Sequence, residues 1–328
     1  MNNFYLIVVA LFFTTMNSIS QEKPEDFKPH GKPLMKIYSN YHSTFTEGGT
    51  QKAFELTRVY LGYQYAFSKN FSGGVVFDVG DPESGNHQLA AFVKNAELEY
   101  DCGNLNVHFG LITTTQFKIQ ENFWGYRYLL KSFQDEYGFA SSADLGVSIS
   151  YRFTNWLDAD FAVYNGEGYK KLQADNIFRN AAGITILPVK GFILRGLFDW
   201  MGNDAAQQSW VGFAGYSAKK YSIGAEYNYQ KNQDMKAGHD WYGPSFYAQY
   251  EASEKIIFFA RFDQLSSKKT DGAVNAWNFS RDGKLFVVGM EYAPLRGINL
   301  APNFQGWTPA DGDLPTRSSV FLNCEIYF

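Results

Sequence analysis

The chain has 328 residues and a formal net charge of -4, from 29 Lys and Arg against 33 Asp and Glu. Trp, Tyr and Phe make up 18% of it, too many large side chains for a disordered or low-complexity polymer. Mild acidity without a basic block argues against nucleic acid as a partner, and a mean hydropathy of -0.30 excludes a bundle of membrane helices.

In chain order, Phe4 to Phe13 is the only uninterrupted apolar run. It is too short to span a bilayer and fits the core of a secretory signal. Small Ser18 and Ser20 then predict cleavage before Gln21, making residues 1–20 a signal peptide. Residues 21–33 carry three prolines and no apolar period, which predicts an extended periplasmic tail.

From Leu34 to Phe328 every second residue of successive short runs is apolar or aromatic. Such alternation is the strand signal, because neighbouring side chains leave a strand on opposite faces. The run Leu145, Val147, Ile149, Tyr151, Phe153 alternates with Asp144, Gly146, Ser148, Ser150, Arg152. Tyr221, Ile223, Ala225, Tyr227 and Tyr229 alternate with Ser222, Gly224, Glu226, Asn228 and Gln230. The predicted strands are 34–45, 53–67, 70–80, 88–100, 103–112, 141–153, 156–165 and 177–187, then 191–201, 208–218, 220–231, 241–252, 255–265, 284–293, 297–306 and 317–328.

Short connections alternate with longer ones, at 46–52, 80–88, 113–140, 166–176, 202–207, 232–240, 266–283 and 307–316. Tight turns at one end and long loops at the other are the asymmetry of a transmembrane barrel. The predicted fold is therefore all-β: a 16-stranded antiparallel transmembrane β-barrel over 34–328, in the outer membrane of a Gram-negative bacterium. Aromatic groups at strand ends (Tyr63-Gln64-Tyr65-Ala66-Phe67 and Trp241-Tyr242) match the girdles at a membrane interface. The last strand ends in alternating Val320, Leu322, Cys324, Ile326 and Phe328, which looks like the C-terminal recognition signal of outer-membrane barrels. Cys324 falls on that lipid row and Cys102 in a turn four strands from the first, too far apart for a disulfide.

The opposite rows face a lumen wide enough for water in a barrel of this size. They carry Arg58, Asp144, Arg152, Arg195, Glu226, Arg261 and Asp263, together with Asp78, Asp160, Asp199 and Glu291. Acids outnumber arginines in this set, which predicts a weakly selective polar pore. The face of Lys94 stays open, because the period slips between Val93 and Ala96. The 113–140 connection is the longest and is crowded with Phe117, Phe123, Trp124, Tyr126, Tyr128, Leu129, Leu130 and Phe133. Long loops of this kind are usually functional. One expectation is that it folds into the barrel and places Lys118, Arg127 and Lys131 at a pore constriction. The other is a lid or subunit-contact loop outside the membrane.

Phe54-Glu55-Leu56-Thr57-Arg58-Val59-Tyr60-Leu61-Gly62 resembles an early strand of the phosphate-selective porin O/P-like family. Asp144-Leu145-Gly146-Val147 and Val163-Tyr164-Asn165-Gly166-Glu167-Gly168 resemble two further blocks of it, and Leu105 to Leu111 fits the strand before its constricting loop. The resemblance spans roughly 54–168. It implies a sixteen-stranded homotrimeric porin of Bacteroidota-type outer membranes. Phosphate selectivity in that family depends on a basic ladder, which the lumen row does not display.

The expected function is a water-filled channel for passive diffusion of small hydrophilic solutes and ions, phosphate-like anions among them. The alternative is a barrel with a blocked lumen that serves a surface lipoprotein or secretion complex. No catalytic constellation is expected from the five histidines, no Gly-x-Ser-x-Gly elbow occurs, and no cofactor or metal is called for.

Overall fold

The computed structural model describes residues 27–80 and 89–328. The expected signal peptide and the first half of the expected tail lie outside the described residues. Eight strands fill the first part: β1 (His30–Thr46), β2 (Gly49–Ala66), β3 (Phe71–Gly80), β4 (Ala90–Cys102), β5 (Leu105–Thr113), β6 (Ala143–Thr154), β7 (Leu157–Tyr164) and β8 (Arg179–Ile186). Eight more follow: β9 (Phe192–Met201), β10 (Gln207–Ser217), β11 (Tyr221–Lys231), β12 (Trp241–Ser253), β13 (Ile256–Ser267), β14 (Gly283–Leu295), β15 (Ile298–Pro309) and β16 (Arg317–Tyr327). Each pairs antiparallel with its chain neighbours, and β1 pairs with β16 from Lys36↔Tyr327 to Phe45↔Ser318, closing the barrel. Closure removes both sheet edges, so every strand can satisfy its backbone groups where water is absent. Among the described residues no helix is long and apolar enough to cross a membrane.

All sixteen predicted strands are present, and two boundaries differ for a physical reason. β1 begins at His30, so residues 30–33 of the expected tail are strand, paired with β2 as far as Pro33↔Tyr63. Proline is tolerated there because ladder pairing with β16 starts only at Lys36, which leaves no partner waiting for the missing N–H. The expected 46–52 loop is instead the two-residue turn Glu47–Gly48, closed by the pair Thr46↔Gly49 with Gly49 at φ 132. Polar residues on both strands had hidden this hairpin's alternation.

The outward rows are those the alternation assigned. Leu145, Tyr151, Phe153, Tyr221, Ile223 and Tyr227 are all exposed on the outer wall. Two aromatic belts ring it. At the short-turn end Tyr65 packs on Phe67, Phe71 on Tyr100, Tyr151 on Phe153, and Phe192 on Tyr216. At the long-loop end Phe198, Trp210, Tyr229 and Tyr242 form a chain of ring contacts. Trp241, expected in that belt, turns inward instead and stacks on Phe139 at 4.5 Å, because it shares the buried face of β12 with Gly243, Ser245 and Tyr247 while its neighbour Tyr242 points outward. Cys324 lies on the outward row of β16 between Leu322 and Ile326, Cys102 ends β4, and both are free thiols.

A β-bulge interrupts the pairing of β3 with β4. Val76 pairs with Asn95 and Phe77 with Val93, so Lys94 has no partner across the ladder. The extra residue lets the rows on either side keep their faces and frees the Lys94 side chain to point into the lumen.

Candidate functional site

Between β5 and β6 the chain enters the barrel. It forms two short helices, α1 (Lys118–Trp124) and α2 (Phe133–Tyr137). Each ends at a glycine in the left-handed region, Gly125 at φ 78 and Gly138 at φ 80. Glycine adopts this conformation without a Cβ clash, so the chain can reverse twice within the width of the lumen.

Apolar burial drives the loop onto one side of the wall. Trp124, Phe117 and Phe133 are essentially fully buried. Phe123 packs on Phe213 and Tyr247, Trp124 on Tyr247 and Phe259, and Tyr126 on Phe259. These partners stand on the inward rows of β10, β12 and β13, and Leu285 and Val287 of β14 complete the cluster. Tyr128 reaches across to Tyr38 on β1.

Polar groups of the wall then hold the loop's backbone. Arg261 Nη1 donates to the Lys131 carbonyl at 2.6 Å, and its guanidinium lies 5.2 Å from the centre of the Trp124 ring. Gln249 Nε2 donates to the carbonyls of Phe123 and Trp124 at 3.2 and 2.7 Å. Arg195 Nη2 donates to the Thr115 carbonyl at 2.9 Å, and Gln230 Nε2 to that of Phe139 at 2.8 Å. Tyr128 donates to Glu291 at 2.7 Å and Gln134 to Asn228 at 2.9 Å. Helices this short satisfy few of their own carbonyls, so the wall supplies donors.

These contacts decide where the expected lumen charges sit. Arg195, Glu226, Arg261 and Asp263 face inward as the alternation requires, but the loop covers them and leaves each at most 4% exposed. Arg261 makes a two-point bond to Asp263, at 2.9 and 2.7 Å, and Arg195 another to Asp160, at 2.6 and 3.0 Å. Asp144 accepts the backbone N–H groups of Leu145 and Gly166, both at 2.8 Å, and so fastens the loop after β7. Arg152 stays largely exposed beside Asp158, at 3.0 Å. Arg58 bonds Asp78 at 2.9 Å and borders open space.

The three loop cations are not alike. Arg127 is enclosed between Glu121 and Asp135, the latter at 2.5 Å. Burial alone would raise the Asp135 carboxyl, but the charges of Arg127 and Lys131 outweigh it and hold that carboxyl below its ordinary range. Lys118 pairs with Glu121 at 3.1 Å. Lys131 has no ion pair among the described residues and borders two cavities.

Opposite the loop, the lumen is open. A cavity of about 540 Å³ at the long-loop end is bordered by Arg58, Lys131, Lys170, Lys171 and Arg281, against Asp135, Glu136 and Glu167. Another of about 500 Å³ at the short-turn end is bordered by Lys36, Lys94 and Lys118, against Glu121 and Glu325. A third, of about 290 Å³, shares lining residues with both and adds Glu55. All three touch Arg127. Nine basic residues thus border this path against six acidic ones.

Barrels of this overall fold recur among solved structures. OprB of Pseudomonas putida superposes with a TM-score of 0.69 at 10% identity, over 91% of this chain and 94% of that one. The outer membrane channel DcaP of Acinetobacter baumannii gives 0.66 at 11% identity, over 93% and 99%. The fold is that of outer-membrane channels. The trimer form of OmpT of Vibrio cholerae gives 0.58 at 13% identity, over 91% and 99%. No protein-family model matches the chain, and no curated sequence does either.

Several residues of this site escape a reading by alternation. Lys36 and Glu325 lie near strand ends, where the outward and inward rows are both mixed. Arg179, which reaches the Phe139 carbonyl at 3.3 Å, opens β8 directly after a loop. Lys94 had left a signal, the slip of period that marks its bulge. So had the buried landing site of the loop. Ile256-Ile257-Phe258-Phe259 and Leu285-Phe286-Val287-Val288 are apolar on both faces, which a strand with an open lumen behind it would not be.

Proposed function

We propose that the protein is an outer-membrane porin that lets small hydrophilic solutes diffuse passively, with a preference for anions. The observation that carries this reading is the basic majority along the path that runs past Arg127. Most wall acids that would oppose it are buried against arginines or beneath the loop: Asp78, Asp199 and Asp263 are 0% exposed and Glu226 is 4%. A buried, paired carboxylate contributes little field to the water beside it, whereas lysines that border a narrow low-dielectric passage contribute more. The basic ladder is thus assembled partly from loops, and it joins the resemblance to phosphate-selective porins as a second reason to expect anion passage. Lys118, Arg127 and Lys131 stand at the narrowing in this reading. The reading assigns no reaction to the barrel. A homotrimer is part of the proposal, supported by the trimer form in which the similar OmpT barrel is solved. So is a signal peptide over residues 1–20.

The test is the reversal potential of the purified protein in a planar bilayer under a potassium chloride gradient. A potential on the chloride side is expected. A potential on the potassium side would reject anion preference, and the absence of steady current would favour the plugged barrel that serves a surface lipoprotein or secretion complex.

A further inference from the structure

Lys94 is the lumen cation whose surroundings differ most from those of Arg127. The bulge in β4 pushes it inward, and its ammonium lies 5.1 Å from the centre of the Tyr60 ring and 5.2 Å from that of Tyr169. It donates a hydrogen bond to the Ser142 hydroxyl at 3.0 Å. No carboxylate is within ion-pair distance of it among the described residues. Asp78 on the adjacent strand is already taken by Arg58 at 2.9 Å and by the Tyr169 hydroxyl at 3.2 Å. Two aromatic rings hold an ammonium in place without cancelling its charge, so Lys94 stays available to an anion. Arg127, between Glu121 and Asp135, does not.

The space beside Lys94 is amphipathic. Leu34, Val76, Tyr38, Tyr60 and Phe117 form an apolar and aromatic flank of the cavity of about 500 Å³, while the Ser142 hydroxyl lies beside the ammonium. Inorganic phosphate gains nothing from such a flank and would shed hydration against it. An anion with a hydrocarbon or aromatic body gains on both sides, through the ammonium and through the apolar surface it buries.

Resting on the anion-preferring reading above, we propose that the cavity beneath Lys94 is a transit site for small organic monocarboxylates. Lys94 binds the carboxylate, and the Tyr60, Val76 and Leu34 side receives the apolar body. Lys94 is the specificity-determining residue of the pore.

The experiment uses full-length protein in planar bilayers, with chloride current measured while sodium benzoate or inorganic phosphate is added. In the wild type, benzoate should lower chloride conductance saturably, while phosphate at equal concentration should not. Equal or stronger block by phosphate would overturn the organic-anion assignment. Lys94→Met should raise the half-blocking benzoate concentration about tenfold, the loss expected for one charge-assisted contact, and Lys94→Arg should restore it to within about threefold. Unchanged benzoate block in a Lys94→Met protein that still favours chloride would overturn the role of Lys94 and leave the anion-preferring reading intact. A wild-type pore that favours potassium would defeat that reading first.

Discussion

The two halves of the lumen wall obey the same outward rule and opposite inward ones. Along β10 to β14 the inward row is Phe213, Tyr247, Phe259, Leu285 and Val287 with the Arg261–Asp263 pair, and the loop is fastened onto it. Along β1 to β4 the inward row is Lys36, Tyr38, Asn40, Arg58, Tyr60 and Lys94, and most of it borders open cavities. The charges on the first side are structural. They are paired, dry and aimed at backbone carbonyls. Those on the second side stay wet and only partly neutralised. Counting inward charges without knowing where the loop lands therefore lumps acids that the loop buries with cations that border the cavities.

The strongest way to break this contrast is to cut the clamp. Arg261→Ala leaves Asp263 buried without its partner, costs about 3–5 kcal/mol, and frees the Lys131 carbonyl. The expected outcome is a clearly lower temperature for loss of the heat-modifiable folded band, with larger and noisier single-channel conductance. Conductance that matches the wild type would mean that the loop does not depend on the β10–β14 side.

A smaller effect is expected on the open side. Lys131→Glu reverses an unpaired charge between two cavities without touching the clamp. It should shift the reversal potential toward cations by a few-fold in permeability ratio, with the folded band as heat-resistant as before. An unshifted potential would remove Lys131 from the conducting path.

The smallest effect concerns acid. Because the folded-state affinity of Asp135 for protons is depressed, its bond to Arg127 is fully present above the ordinary carboxyl range and is lost as pH falls through the lowered value. The Asp135–Arg127 bond should therefore persist throughout the neutral range. As pH falls through that lowered value and Asp135 is protonated, its lost negative charge should make the path more anion-selective. A change centred near neutral pH would place control on a different group.

Part of the site was legible residue by residue. The run 117–133 combines aromatic rings with Lys118, Arg127 and Lys131, and such a segment needs a surface to bury against. The doubly apolar stretches at 256–259 and 285–288 mark where that surface is, although either stretch alone is compatible with a buried strand of another fold. The period slip at Lys94 showed that a residue was extra, but not which way it pointed, since a bulge can present its side chain on either face. Arg58, Arg195 and Arg261 read identically in sequence. One borders water and two hold the loop.

What the sequence by itself determined was the wall: sixteen strands, their outward faces and the alternation of turns and loops. A period of two is local, and it follows directly from strand geometry wherever one face must be apolar. Which inward charges stay in water was decided only in three dimensions, when the loop between β5 and β6 crossed the lumen and chose one side. That choice depends on contacts between residues more than 100 positions apart, such as Phe123 with Tyr247 and Arg261 with Lys131, and no local pattern encodes them.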